Sequence, residues 1–202
     1  MNNLRLIVTI TTLVSAALGY GQGMPPAKDL LLARQVFTAL RPNVSKELKV
    51  TDSQMKRIEE AFNGGLHVEG DKVMLTISGG SGDSLDEMAA QALKVLDGGQ
   101  TARLKEIWLQ EQGSLAILEP AFAKQLGITK EQTAQADKIA ESIAAKIMDL
   151  FQDMSGDHEA AAKKVNALRD DARKQFDAIL TADQKKSLET MKGKPFKQDK
   201  PG

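Results

Sequence analysis

The clearest arrangement that could do chemistry is an acidic turn around one of the two histidines. Asp157, His158 and Glu159 adjoin one another, with Met154 close by. Imidazole and carboxylate groups bind transition metals, but a zinc site needs three or four converging ligands and the chain has no cysteine. The same residues also suit a helix start, with Asp157 as the N-cap and Glu159 in the first turn. We favour the helix start and keep the three residues as metal-ligand candidates.

Catalytic patterns are absent from the sequence. The 27 acidic residues are spread along the chain. No Gly-x-Ser-x-Gly, His-Glu-x-x-His or P-loop sequence occurs. The Gly79-Gly80-Ser81-Gly82 segment lacks the Gly-Lys-Ser/Thr ending that a phosphate-binding loop requires. We therefore expect no enzymatic activity and no cofactor.

One short pattern recurs four times: an apolar residue, a cap residue, two variable positions and a glutamine. In a capping box the cap side chain accepts a hydrogen bond from the third helical N–H, and the glutamine reaches back to the N–H of the cap. Each box should stabilise its helix start by about 1 kcal/mol. The four cap–glutamine pairs are Thr51 and Gln54, Asp97 and Gln100, Thr129 and Gln132, and Thr181 and Gln184.

The recurring pattern resembles the LTxxQ motif of the Spy/CpxP family of bacterial periplasmic helical proteins. Residues 128–132 and 180–184 match it most closely, and the resemblance covers roughly residues 96–192. It implies an ATP-independent, chaperone-like or stress-response protein whose partners are unfolded or membrane-associated client proteins. The stretch Leu104–Gly113, followed by Pro120 and Leu126-Gly127, is also similar to uncharacterised exported proteins of environmental bacteria.

Long stripes of apolar residues at helical spacing predict an all-α fold. Its main feature is an antiparallel hairpin of helices at about 130–155 and 157–179, with shorter helices packed on it. A small β-hairpin is expected at about 66–77, and Trp108 is expected in the core. The apolar stripe of this hairpin contains a candidate binding face for clients. The alternative is that the two helices bury their stripes against each other, and this alternative explains most of the stripe. The residues of this face are Ile143, Ile147, Met148, Leu168 and Phe176.

The N-terminus has the order of a secretory signal peptide. A short segment ending at Arg5 precedes an apolar run, and small residues follow at Gly19 and Gly21. We expect cleavage there and a periplasmic or secreted protein without stable membrane insertion; the alternative is an uncleaved N-terminal anchor. The predicted division is therefore a signal peptide at 1–21, a single helical domain at 22–192 and a disordered tail at 193–202. The domain comprises an N-terminal part at 22–95, with an insert at 66–82, and an LTxxQ-like part at 96–192.

The charge balance narrows the classes of partner. Lysine and arginine number 27, equal to the acidic residues, so the chain lacks the basic excess that favours nucleic acid. We expect no nucleic-acid binding. A homodimer is compatible with the amphipathic helices. Besides the chaperone-like function, two alternatives stay open: a metal-sensing or metal-binding periplasmic protein around His158, and a structural or interaction protein.

Overall fold

The protein is mostly α-helical, as expected from its apolar stripes. The computed structural model describes residues 4–9, 31–63, 65–69, 72–77, 85–152 and 158–197. Within these residues the chain forms nine α-helices, one 3-10 helix and three strands. The α-helices are α1 Leu31–Leu40, α2 Pro42–Leu48, α3 Asp52–Ala61, α4 Leu85–Leu93, α5 Gly98–Gln112, α6 Pro120–Gln125, α7 Lys130–Gln152, α8 His158–Ile179 and α9 Ala182–Met191.

The chain divides into two compact units within α5, one of residues 1–108 with 196–202 and the other of residues 109–195. The internal boundary expected from the sequence is earlier, between residues 95 and 96. The difference arises because the first three turns of α5 complete the N-terminal core, to which Leu104 and Ile107 belong. The start of the LTxxQ-like part at residue 96 therefore precedes the boundary between the two packed units, which lies after Trp108.

The N-terminal unit packs α1 against α2 and α4, and α3 against α4. Its core is aliphatic, with Val36, Val44 and Ile58 almost fully buried. Trp108 is 2% exposed, which confirms its predicted place in the core. The guanidinium carbon of Arg34 lies 5.3 Å from the centroid of the indole ring, at cation–π distance.

The small β-hairpin expected at about 66–77 is present. Strands β2 (Leu66–Glu69) and β3 (Lys72–Ile77) pair antiparallel. A third strand, β1 (Leu4–Thr9), pairs antiparallel with the other edge of β3, so the strand order is β1-β3-β2. This strand was not expected from the sequence, because it lies within residues 1–21, the expected signal peptide.

The C-terminal unit is built around the long helical hairpin α7–α8. The first turn of α7 lies against the last turn of α8, which makes the two helices antiparallel. Each helix is about 35 Å long at 1.5 Å per residue. The 3-10 helix Gly113–Leu118 contacts both long helices, and α6 packs on it. Val165, Ala172 and Phe176 of α8 are buried in this unit.

Pro42 begins α2 as its N1 residue, where its missing N–H costs nothing. The disorder predicted from residue 193 onward does not apply to Phe196, whose ring packs against the core of the N-terminal unit. Residues 198–202 of that tail, and Gly19 and Gly21 of the expected cleavage region, lie outside the described residues.

No helix among the described residues is long and apolar enough to cross a membrane.

Candidate functional site

In the C-terminal unit, two capping boxes meet and their glutamines pair with each other. We call Thr129, Gln132, Thr181 and Gln184 the second junction. The Nε2 of Gln132 donates to the Oε1 of Gln184 at 2.8 Å, and the Nε2 of Gln184 donates back at 3.0 Å. Each Oε1 also accepts the backbone N–H of its own cap, at 2.9 Å for Thr129 and 3.0 Å for Thr181. The boxes therefore cap two helices and join them.

Each glutamine of the second junction also donates to the backbone two residues before the opposite cap. Gln132 Nε2 reaches the carbonyl of Ile179 at 2.9 Å, and Gln184 Nε2 reaches the carbonyl of Gly127 at 3.2 Å. Ile179 is the last residue of α8, and Gly127 follows the end of α6. Carbonyl groups at helix ends lack partners within their own helix. The junction thus satisfies helix ends as well as helix starts, and it closes the open end of the α7–α8 hairpin.

The N-terminal unit contains the same arrangement, formed by Thr51, Gln54, Asp97 and Gln100, which we call the first junction. The amides of Gln54 and Gln100 exchange hydrogen bonds of 2.7 and 3.0 Å. Gln54 Nε2 also reaches the carbonyl of Val95 at 3.1 Å, two residues before the cap Asp97. Gln100 Nε2 reaches the carbonyl of Lys49 at 3.3 Å, two residues before the cap Thr51.

All four predicted capping boxes are therefore present in the structure. Thr51 and Thr181 accept from the N–H of Gln54 and Gln184 at 3.2 Å each. Thr129 accepts from the N–H of Gln132 at 3.2 Å, and Asp97 accepts from the N–H of Gln100 at 2.8 Å. The sequence predicts each box separately, but it does not predict that the boxes pair with each other.

The similarity of the two junctions extends upstream. Lys49 and Gly127 each follow the end of a helix and adopt a left-handed backbone conformation, with φ of 54° and 62°. The next N–H returns to the carbonyl five residues earlier in both places: Val50 to Ser45 at 3.0 Å and Ile128 to Ala123 at 2.9 Å. This is the Schellman helix ending, for which glycine is the usual residue. Lys49 adopts the same conformation with a side chain, at a cost in strain that the junction offsets.

The equivalence is also present in the sequence. The segment Pro42–Gln54 reads PNVSKELKVTDSQ, and the segment Pro120–Gln132 reads PAFAKQLGITKEQ. Proline, lysine, leucine, threonine and glutamine recur at identical places, and the apolar residues Val44 and Phe122 are both buried. A leucine also follows each second box: Leu104 and Leu188 are 1% and 3% exposed. This similarity is an internal repeat, and it includes the helix upstream of each first box as well as the boxes themselves.

The candidate binding face is only partly available. Ile143 is 9% exposed and Phe176 is 1% exposed, so both are buried in the C-terminal unit, as the alternative of mutual burial expects. They are buried because two paired helices bury the centres of their stripes. Ile147 and Leu168 are half-buried, and the side chain of Met148 lies outside the described part of the chain. Leu150, one turn beyond Ile147, is also half-buried.

Two arginines of α8, Arg169 and Arg173, interact with Glu111 near the end of α5. Burial lowers the pKa of Arg169, and the neighbouring charge of Arg173 lowers it further, while Glu111 and Asp170 oppose the shift. Arg173 donates to the carbonyl of Glu111 at 2.5 Å, in the last turn of α5. A cation at that place satisfies a helix end that has no intrahelical partner.

The metal-site candidates remain a prediction. Asp157 lies outside the described residues, and His158 and Glu159 are described there only as the first residues of α8. Among the described side chains, no group of three or more histidine, cysteine, aspartate or glutamate residues could hold a metal ion.

Chemically, the junctions consist of glutamine amides, threonine hydroxyls and, in the first junction, the carboxylate of Asp97, which accepts a hydrogen bond from the N–H of Gln100. All of these groups hold helix ends together. Comparison of the chain with models of known protein families, with curated proteins and with solved structures found no match.

Proposed function

We propose that the chain is an exported, ATP-independent binding protein that holds unfolded client proteins in a soluble state. Its binding element lies in the described residues of α7 and α8 in the half of the hairpin away from the second junction, at about 139–150 and 163–168. The observation that carries the proposal is that three apolar side chains of these two helices are only half-buried: Ile147, Leu150 and Leu168. Apolar area of this kind, rimmed by charge, is typical of surfaces that bind other proteins.

The second junction supports this role mechanically. A two-helix hairpin buries only one face of each helix, so its own core is thin. The paired amides of Gln132 and Gln184 close its base with directional hydrogen bonds. These bonds add to the apolar burial of residues such as Val165 and Phe176.

The rim of the hairpin fits reversible binding. Lys163, Lys164, Asp170 and Asp171 are exposed on α8. Mixed charges keep a bound apolar segment in solution without attracting one sign of client. Half-buried aliphatic side chains can repack around different sequences, which suits clients of many kinds. No nucleotide is needed for such a cycle of weak binding and release.

The test is suppression of aggregation. A chemically denatured model enzyme is diluted into buffer, and light scattering is followed with the exported protein at equimolar ratio and at a several-fold excess. We expect suppression by the wild-type protein and a clear loss of it in an Ile147→Ser/Leu168→Ser double variant. The matched control is Ala144→Ser/Ala167→Ser, which changes exposed residues of the same two helices. Circular dichroism checks that all three proteins keep equal helix content.

Two outcomes would contradict the proposal. One is no suppression by the wild-type protein at a several-fold excess. The other is equal suppression by the wild type and the Ile147→Ser/Leu168→Ser variant, which would place the active surface elsewhere. Light scattering of the protein alone, after size-exclusion chromatography, determines whether the binding unit is a monomer or the predicted homodimer.

A further inference from the structure

The β-hairpin lies between the two capping boxes of the first junction, and the α7–α8 hairpin lies between the two boxes of the second junction. Between the two glutamines of the second junction the chain runs out along α7 and back along α8. Between those of the first junction it runs out along α3, through β2 and β3, and back along α4. Since both repeats end in the same paired-glutamine geometry, the β-hairpin is the counterpart of the far half of the helical hairpin. The element that differs between the repeats is the element far from the junction.

The central strand of the small sheet is paired on both edges. One edge of β3 pairs with β2, from Leu66 opposite Leu75 to Glu69 opposite Lys72. The other edge pairs with β1 over all six residues, from Leu4 opposite Ile77 to Thr9 opposite Lys72. The edge of β3 that faces β1 can therefore bind a complete extended segment in antiparallel register.

The strand on that edge belongs to the segment that export would remove. β1 lies within residues 1–21, the expected signal peptide, whereas β2 and β3 remain in the exported chain. After cleavage the edge of β3 presents unpaired N–H and C=O groups. An exposed sheet edge is a template for another extended chain, and proteins that bind peptides by strand addition use such edges.

We propose that, in the exported protein, this edge of β3 binds an extended apolar segment of an unfolded client by antiparallel strand addition. The leader segment Leu-Arg-Leu-Ile-Val-Thr shows the chemistry that fits: six residues, mostly apolar, without proline or glycine. The inference rests on the proposed export and client binding, and it adds a second binding element with a defined client conformation. Backbone hydrogen bonds supply most of the affinity, so many client sequences can bind.

The first test compares the exported and precursor forms of the whole protein. The probe is a fluorescent peptide of sequence Leu-Arg-Leu-Ile-Val-Thr with a soluble tail, and binding is measured by anisotropy. The exported protein is purified after secretion and its N-terminus is established by intact mass. We expect it to bind the peptide about tenfold or more tightly than the precursor, whose own β1 occupies the edge. Equal binding by both forms would overturn the proposal, and so would a secreted protein that retains residues 1–21.

The second test uses backbone-methylated peptides. In an antiparallel pair, alternate residues of an edge strand donate their N–H to the neighbour, and the others point outward. One probe is N-methylated at the residues corresponding to Leu4, Leu6 and Val8, the other at those corresponding to Arg5, Ile7 and Thr9. We expect one pattern to abolish binding and the other to leave it nearly unchanged. Equal effects of the two patterns would overturn strand addition, because side-chain binding does not distinguish them in this way.

The outcome separates this inference from the proposed function. The Ile147→Ser/Leu168→Ser variant leaves the β-hairpin unchanged, so it should bind the peptide like the wild-type protein. Peptide binding without suppression of aggregation would refute the helical-hairpin proposal alone. Suppression of aggregation without peptide binding would refute the strand-addition proposal alone.

Discussion

Replacing Gln132 by alanine should destabilise the C-terminal unit far more than replacing a glutamine on the surface of the same helix. The side chain of Gln132 takes part in four hydrogen bonds: with the N–H of Thr129, with the carbonyl of Ile179, and twice with Gln184. Hydrogen bonds contribute about 0.5–1.5 kcal/mol each, and water replaces some of them at a half-buried site. Alanine also has the higher helix propensity, by a few tenths of a kcal/mol. The expected loss of unfolding free energy is about 2 kcal/mol.

The matched control is Gln135→Ala, one turn further along α7, where the side chain is exposed. This change should alter stability by less than about 0.5 kcal/mol. Urea denaturation followed by far-ultraviolet circular dichroism gives the free energies. Hydrogen exchange of amides in α7 and α9 shows whether the loss is confined to the C-terminal unit. If Gln132→Ala and Gln135→Ala have equal effects, the junction does not stabilise the fold.

A double-mutant cycle tests the pairing itself. Gln184→Ala should cost about as much as Gln132→Ala, and the double variant should cost less than the sum by about 1–2 kcal/mol. The Gln132→Glu variant keeps the acceptor for the cap N–H of Thr129 but loses both donors. It should therefore fall between wild type and alanine. Additive single effects would contradict a direct interaction between the two amides.

Three further predictions address the core, a charge pair and pH. Phe176→Ala should lower the free energy of unfolding, measured by urea denaturation, by about 3–5 kcal/mol, because the ring is buried. A change near zero would contradict the burial of Phe176. Arg103 forms two ion pairs: its Nη2 lies 2.8 Å from Glu47 Oε1, and its Nη1 lies 2.5 Å from Glu106 Oε2. The Arg103→Met variant should therefore be less stable than the wild type by about 1 kcal/mol, and by less than that in 1 M salt. Hydrogen bonds from its own backbone and from the Thr129 hydroxyl lower the pKa of Glu131. The charged form of Glu131 therefore stabilises the fold at pH values above the usual carboxyl pKa, and this stabilisation is lost as the pH falls through the lowered pKa. Urea denaturation measured at a series of pH values should show this loss in the wild type and not in Glu131→Gln.

The helices could be predicted because local signals and packing agree. The boxes, the glycine stops and the apolar periodicity of residues 130–179 each specify the same hairpin, and the structure contains it. Pro120 and Gly127 similarly delimit α6. Each of these signals acts within one or two helical turns, so a linear sequence contains all of it.

The pairing of the boxes could not be predicted in the same way. Nothing local states that the amide of Gln54 meets that of Gln100, which lies 46 residues away, since this depends on the return path of the chain. Burial along the stripe was also ambiguous, because periodicity gives the apolar face but not how much of it a partner helix covers. Phe176 and Leu168 share that face, and packing separated them into buried and half-buried. Lys49 was missed because a lysine in a left-handed helix ending carries none of the signal that Gly127 provides.

The most direct test of the proposed function is hydrogen exchange of the exported protein with and without an unfolded client, using a permanently unfolded, reduced and alkylated protein as the probe. We expect slower exchange on binding in the far half of the hairpin, at about residues 139–150 of α7 and 163–168 of α8. Amides around Gln132 and Gln184 should be unchanged, because these residues lie at the base of the hairpin, outside the proposed binding element. Unchanged exchange throughout α7 and α8 at a saturating client concentration would contradict client binding by the helical hairpin.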